Sequence, residues 1–157
     1  MYAYRFIKPP LSEGVWGRLS ILKLTFNIQG GDFTHAGHPS SEVKKVLKQL
    51  GIDSKTIKNI VIALYEAEVN VVAHAWKGTV SVEIDENKIT ILVSDEGPGI
   101  PDIDLAMQAG YSTASKKVRE MGFGAGMGLP NIKKNTDELL IESEVNKGTK
   151  VKMVNYF

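Results

Sequence analysis

The sequence predicts an α+β domain, a two-layer α/β sandwich in which one mixed, mostly antiparallel sheet carries its helices on one face. Three observations lead there. Residues 80–93 and 139–154 each read as a β-hairpin, and hairpins pair their strands antiparallel. One long helical pattern sits between strand patterns. The order of elements is strand, helix, helix, hairpin, short helix, loop, helix, hairpin, with hairpins dominating over the strand–helix–strand crossovers that build parallel sheets. A chain of 157 residues is long enough for one such domain with a real core.

Residues 2–7 read as a short strand ended by Pro9 and Pro10, because proline cannot donate to a strand ladder. From Leu19 the pattern sharpens. Leu22, Leu24, Phe26 and Ile28 alternate with Lys23, Thr25 and Asn27, the period of a half-buried strand, and Gly30 and Gly31 end it. His35 and His38 then sit in a loop with Gly37 and Pro39. Two histidines three apart invite a metal reading, but no third convincing ligand is near, so an ordinary polar loop is expected. Ser40 or Ser41 can cap a helix that turns Val43, Val46, Leu47 and Leu50 inward and stops at Gly51.

Asp53 or Ser54 caps the next and longest helix, which should end near Gly78. Ile57, Ile60, Val61, Leu64 and Val71 form its apolar stripe. Val69, Val72 and Ala73 fall outside that stripe, so the helix is covered on more than one side. Yet Glu66, Asn70 and His74, each four apart, put polar groups together on one face. Val80, Val82 and Ile84, a turn at 85–88, and Ile89, Ile91 and Val93 make the first hairpin. A short helix is expected over 102–109 and a polar, exposed segment over 110–119. Gly122, Gly124, Gly126 and Gly128 alternate with other residues, and Pro130 follows in the first turn of a helix. The closing hairpin turns at Asn146-Lys147-Gly148, where Gly148 suits a position needing positive φ.

Composition narrows the function classes. Apolar residues make up 43% and charged residues 24%, which is ordinary for a globular protein. A net charge of +1 offers no broad field for nucleic acid or a membrane surface. With no cysteine there are no disulfides and no thiolate metal sites. The N-terminus lacks the apolar core of a signal peptide, and no apolar run approaches spanning length, so a cytoplasmic protein is expected.

The chemistry begins with the glycine stretch. Glycines let backbone amides lie close against a ligand, and a helix opening there adds free N–H groups suited to phosphate. The common phosphate loops do not fit: no G-x-x-x-x-G-K-[ST] occurs, and the glycines lack the two-residue gap of G-x-G-x-x-G. Three other pieces can converge with it. Asn70 offers an amide oxygen, a hard ligand suited to Mg²⁺. Glu66, one turn earlier, could orient or deprotonate an attacking hydroxyl or water. Glu68 is the rival carboxylate but lies on nearly the opposite side of the helix. Asp95 ends a strand before Gly97 and Gly99, where a carboxylate could accept from an exocyclic amine such as that of adenine. Taken singly, each piece also reads as a solvated helix face or a plain turn.

Together, in this order, they resemble the GHKL ATPase superfamily. The residues that carry the resemblance are Glu66-Ala-Glu-Val-Asn70-Val-Val-Ala-His74, Asp95-Glu-Gly97-Pro-Gly99-Ile100, Gly122 to Leu129, and Glu142-Ser-Glu-Val-Asn-Lys-Gly148-Thr149. That group includes gyrase, MutL and histidine-kinase ATP domains and has the Bergerat, histidine-kinase-like fold. Within it the chain looks most like the bacterial branch of small anti-sigma factors and switch-protein serine kinases.

The resemblance implies roles. Asn70 would hold Mg²⁺ and Glu66 would be the catalytic carboxylate. Asp95 would bind the adenine amine of ATP beside Thr149, with Gly97, Gly99 and Ile100 at the base pocket. Gly122, Gly124, Ala125, Gly126, Met127, Gly128 and Leu129 would cradle the phosphates. Residues 111–122 would form the ATP lid, with Ser112 and Thr113 in it, and Lys116, Lys117 and Arg119 as candidate γ-phosphate contacts. His74 fits the motif but is expected to be a satisfied core histidine. The implied reaction moves the γ-phosphoryl group of ATP to a serine or threonine of a partner. In this branch the usual partner is a STAS-domain antagonist, and a sigma factor is a further one. An ATP-dependent binding module without catalysis and a detached histidine-kinase ATP domain are the alternatives. The resemblance covers residues 19–157; residues 1–18 remain an extension that could be an added strand, a homodimer arm or a partner contact.

Overall fold

The computed structural model describes the backbone of Ala3–Ile7 and residues 21–157. Six strands form one sheet in the order β1-β2-β3-β4-β6-β5. They are β1 (Ala3–Ile7), β2 (Ile21–Gln29), β3 (Lys77–Ile84), β4 (Lys88–Glu96), β5 (Glu138–Glu144) and β6 (Gly148–Tyr156). Tyr2, Pro9, Pro10 and the rest of the expected extension lie outside the described residues. Every described pairing is antiparallel, so the sheet has no mixed part. The reason is topological. The helical crossover from β4 lands on the outermost strand β5, and β6 then returns between the two, antiparallel to both.

The alternating strand patterns do what their period requires. Leu22, Leu24, Phe26 and Ile28 on β2 are buried, with Val80, Val82 and Ile84 on β3 and Ile89, Ile91 and Val93 on β4 beside them in register. The opposite face leaves Thr25, Glu83, Leu92 and Leu140 exposed. Across the buried face runs α2 (Ser54–His74), which touches β2, β3, β4 and β6. Asp53 caps it by accepting from the backbone N–H groups of Lys55 and Thr56, both at 3.0 Å. The helix stops at His74, short of Gly78. Ala75 turns extended, and Lys77 already pairs with Gln29 of β2, so Gly78 belongs to a strand.

Helix α1 (His38–Gln49) packs on α2 and corrects three expectations. His38 opens the helix instead of lying in the loop, and neither Ser40 nor Ser41 caps it. The N-cap is Gly37, which has no side chain to offer. A carboxylate from α2 takes over: Glu68, 1% exposed, accepts from the N–H of Gly37 at 2.8 Å and of Ser40 at 2.7 Å. The serine hydroxyl turns to the Gly37 carbonyl at 3.1 Å. Val43 and Leu47 are buried, but Leu50, at the C-cap, is 52% exposed. His35 pairs with Asp32 at 2.7 Å, and His38 meets Phe26 edge-on. Among the described residues no group of three potential ligands could hold a metal by histidine, cysteine and carboxylates alone.

The segment between β4 and β5 is more ordered than its composition suggests. Helix α3 is shorter than expected, Ile103–Ala106, with Asp102 as its cap. A five-residue helix α4 (Lys116–Glu120) stands where an exposed coil was expected. Ser115 caps it by accepting from Val118 N–H, and Ala114 and Val118 are buried under it. Helix α5 (Gly128–Lys134) follows the glycine stretch and packs against α2. Among the described residues no helix is long and apolar enough to cross a membrane.

Candidate functional site

A cleft of ≈ 550 Å³ opens between α2, the end of β4, the 98–113 segment and the glycine stretch. That is the size of a small-molecule site. Asp95 stands on one side of it at the end of β4, where burial pushes its carboxyl above the usual range and a hydrogen bond from Thr149 N–H opposes that rise. The bond is 3.1 Å long. Thr149 is buried, and its hydroxyl meets Ser143 Oγ at 2.8 Å.

Ser143 does more than hold Thr149. Its oxygen also accepts from Ile100 N–H at 2.7 Å and donates to the Gly148 carbonyl at 3.1 Å. Asn146 N–H bonds the Pro98 carbonyl at 2.8 Å. The turn after Asp95 is thus fixed to the β5–β6 hairpin from two sides. Gly148 makes that approach possible: any Cβ there would run into the Asp95 carbonyl oxygen.

The other side of the cleft belongs to α2 and the glycine stretch. Glu66 and Asn70, one turn apart, both face Gly128 at the start of α5. A Cβ on Gly128 would sit 3.0 Å from Asn70 Oδ1 and 3.5 Å from Glu66 Oε2. Glycine there keeps space open at both oxygens. Glu66 Oε1 accepts from Asn131 Nδ2 of α5 at 2.9 Å, so only its second oxygen is left for the cleft. Asn70 Oδ1 beside this space is a donor of the type Mg²⁺ takes, and the residues fit the ion. Gly122, Gly124 and Gly126 all have φ between 75° and 86°, the left-handed backbone that favours glycine. The stretch is pinned where Gly110 N–H bonds the Gly126 carbonyl and where Phe123 stacks on Phe33, ring centres 5.0 Å apart.

Most expected site residues line the cleft. Glu66, Asn70, Asp95, Gly99, Ile100, Ser112, Thr113, Gly122, Gly124, Ala125, Gly126, Met127, Gly128, Leu129 and Thr149 all do. Gly97, Lys116 and Arg119 do not. Gly97 is buried behind the wall, where a Cβ would meet Ala75 at 2.9 Å. Lys116 pairs with Glu120 along α4, and Arg119 donates to the Ser112 carbonyl at 3.0 Å. The helix that turns them away was not expected from the sequence. Lys117 is likewise absent from the wall, and among the described residues no lysine or arginine lines the cleft. His74 is on the exposed rim and not in the core, although the protein around it lowers its pKa by desolvation. Glu68 points away to α1, as its place on the helix requires.

Sequence reasoning gave neither Ser143 nor Asn131 a role in the site. Neither carries a local signal, because the partners lie 43 and 65 residues away in the chain. It also missed the apolar wall given by Tyr65, Leu105 and Val151.

An antiparallel sheet with a helix layer and a glycine-edged cleft at the end of its strands is the architecture of a GHKL nucleotide-binding domain. The sequence profile of the histidine kinase-like ATPase domain matches residues 33–155. The serine/threonine-protein kinase RsbT of Bacillus subtilis is 32% identical over 117 residues, covering 72% of this chain and 82% of that protein. An anti-sigma F factor of Caldanaerobacter subterraneus subsp. tengcongensis is 39% identical over 113 residues, covering 69% and 76%. A chain in the crystal structure of the SiaB-SiaC complex from Pseudomonas aeruginosa shares the fold, with a TM-score of 0.53 and 13% identity over 85% of this chain and 89% of that one. The chain belongs to the histidine kinase-like ATPase family, in its branch of anti-sigma factors and serine/threonine kinases, and is by class an ATP-dependent protein kinase.

Proposed function

We propose that this protein transfers the γ-phosphoryl group of ATP to a serine or threonine of a partner protein, a STAS-domain antagonist, and so controls the release of a sigma factor. The observation that carries the reading is the convergence of Glu66 and Asn70 on the space kept open by Gly128, in the same cleft as Asp95. Asp95 accepts from the adenine amine, and Gly99, Ile100 and Thr149 shape the base pocket around it. Amides of the glycine stretch face the phosphates, and Asn70 holds Mg²⁺, which neutralises phosphate charge when bound. Glu66 Oε2 takes the proton of the acceptor hydroxyl as that oxygen attacks the γ-phosphorus. The bond from the γ-phosphorus to the bridging oxygen breaks, and ADP leaves. Positioning and charge neutralisation supply most of such a rate, so these few groups suffice. We assign the ATP-binding domain to residues 19–157, treat 1–18 as its extension, and place the protein's work in the cytoplasm.

A second reading has one observation in its favour. With no lysine or arginine on the wall of the cleft among the described residues, ATP could serve to order the lid for partner binding without chemistry. Incubation with Mg²⁺, γ-labelled ATP and purified STAS-domain proteins separates the two. Label on a STAS serine or threonine, lost in Glu66→Gln while ATP binding is kept, supports the kinase. Tight ATP binding with no label on any acceptor leaves the binding module.

A further inference from the structure

Glu66 is held by more than its own helix. Its Oε1 accepts from Asn131 Nδ2 at 2.9 Å, across the seam where α5 meets α2. Asn131 is fixed in turn. Its N–H bonds the Met127 carbonyl, the first helical bond of α5, so the residue is tied to the end of the glycine stretch. Its own carbonyl accepts from Asn135 Nδ2 at 2.8 Å. The Asn135 carbonyl accepts from Nδ2 of Asn155, 5% exposed on β6, also at 2.8 Å. Three asparagines therefore make a chain of amides from the sheet to one oxygen of Glu66.

We propose that Asn131 is a positioning residue for the phosphoryl-transfer step. By donating to Oε1 it holds the carboxylate in one orientation, with Oε2 turned to the space beside Gly128. A carboxylate free to rotate would divide its time among orientations, and a base works only within hydrogen-bond reach of its proton. The asparagine chain also makes the orientation conditional on α5 being seated on the sheet. Displacement of the glycine stretch would pull the donor off Glu66 and disarm the base together with the phosphate cradle. This inference rests on the kinase reading.

The test follows single-turnover loss of the γ-phosphate from labelled Mg²⁺-ATP, to water or to the purified STAS-domain proteins, in a double-mutant cycle. Asn131→Ala should lower the rate about tenfold, the scale of one hydrogen bond to a charged group, while KM for ATP changes by less than about twofold. Asn131→Asp has the same shape and puts a like charge against Glu66; it should be no faster than the alanine variant, which guards against a loss caused by the smaller side chain. In the Glu66→Gln background the alanine substitution should alter the residual rate by less than about twofold, because its effect passes through Glu66. A tenfold loss in both backgrounds, or a rise in KM matching the loss, would overturn the inference and leave the kinase intact. A wild-type protein that binds ATP and passes its γ-phosphate neither to water nor to any STAS-domain protein would overturn the kinase reading, and the inference with it.

Discussion

Replacing Glu68 with glutamine should remove a pH dependence from the stability of this fold. The carboxyl is fully enclosed between α1 and α2. Burial pushes it from 4.5 up to about 7, against the N–H groups of Ser40 and Gly37, which favour the charge. Between those two values the folded protein keeps a proton that the unfolded chain has released. Stability therefore falls as pH rises through that window and is level on either side. At about 1.4 kcal/mol for each tenfold change in proton affinity, the displacement from 4.5 to about 7 is worth about 3 kcal/mol. At about 2–4 °C per kcal/mol for a domain of this size, Tm of the natural protein should drop by roughly 6–12 °C between pH 5 and pH 8 through this group. Glutamine keeps one oxygen for one N–H and turns its amide toward the other, a cost of about 1–3 kcal/mol that does not vary with pH. Calorimetry on both proteins across pH 5–8 gives the difference curve. His74, lowered by desolvation, acts in the opposite sense, and Asp95 is raised by burial; both remain in the variant and cancel. A difference curve that is flat, or that favours the natural protein more at higher pH, would refute the reasoning.

Two further substitutions probe the cleft. Asp95→Asn keeps an acceptor for Thr149 N–H but turns a donor toward the adenine amine, so the ATP dissociation constant by calorimetric titration should rise about 10- to 100-fold, the worth of a hydrogen bond to a charged group. Tm should not fall, because the variant no longer buries a charge; unchanged affinity would sink the adenine assignment. Gly128→Ala meets no backbone obstacle, since its φ is not positive, and alanine favours a helix by about 1 kcal/mol. Its methyl group would stand 3.0 Å from Asn70 Oδ1, so Mg²⁺-dependent ATP binding should weaken while thermal stability holds or rises. Equal affinity with and without the methyl group would remove Asn70 from the ion.

What could be read in the sequence was what depends on near neighbours. The alternation in β2, β3 and β4 has a period of two, and burial on one face follows directly. Glu66, Asn70 and His74 share a helix face by spacing alone, and the structure does bring all three to the cleft. What could not be read depends on distant partners. Glu68 caps α1 from 28 residues away, so the search for a local serine cap failed. Asn131 and Ser143 have the same history. Helix α4 is a different case: the signal Ser115-Lys-Lys-Val118 was present, but the density of polar residues around it read as exposed coil.

The place of β6 in the sheet has a consequence for biosynthesis. This strand pairs with β4 from Lys88–Tyr156 to Ser94–Lys150 and with β5 on its other side, so a strand that follows all the other described strands in sequence occupies an interior position. It also brings Gly148 and Thr149 to Asp95. A nascent chain that has completed α1 to α5 still lacks the hydrogen-bond partner of Asp95 and the inner edge on which β5 rests. Nucleotide affinity should thus arise in a single step, when β6 is inserted, and should not grow gradually with chain length. Nucleotide in the cell would then act as a check on β6 insertion, stabilising molecules in which it has paired and passing over those in which it has not.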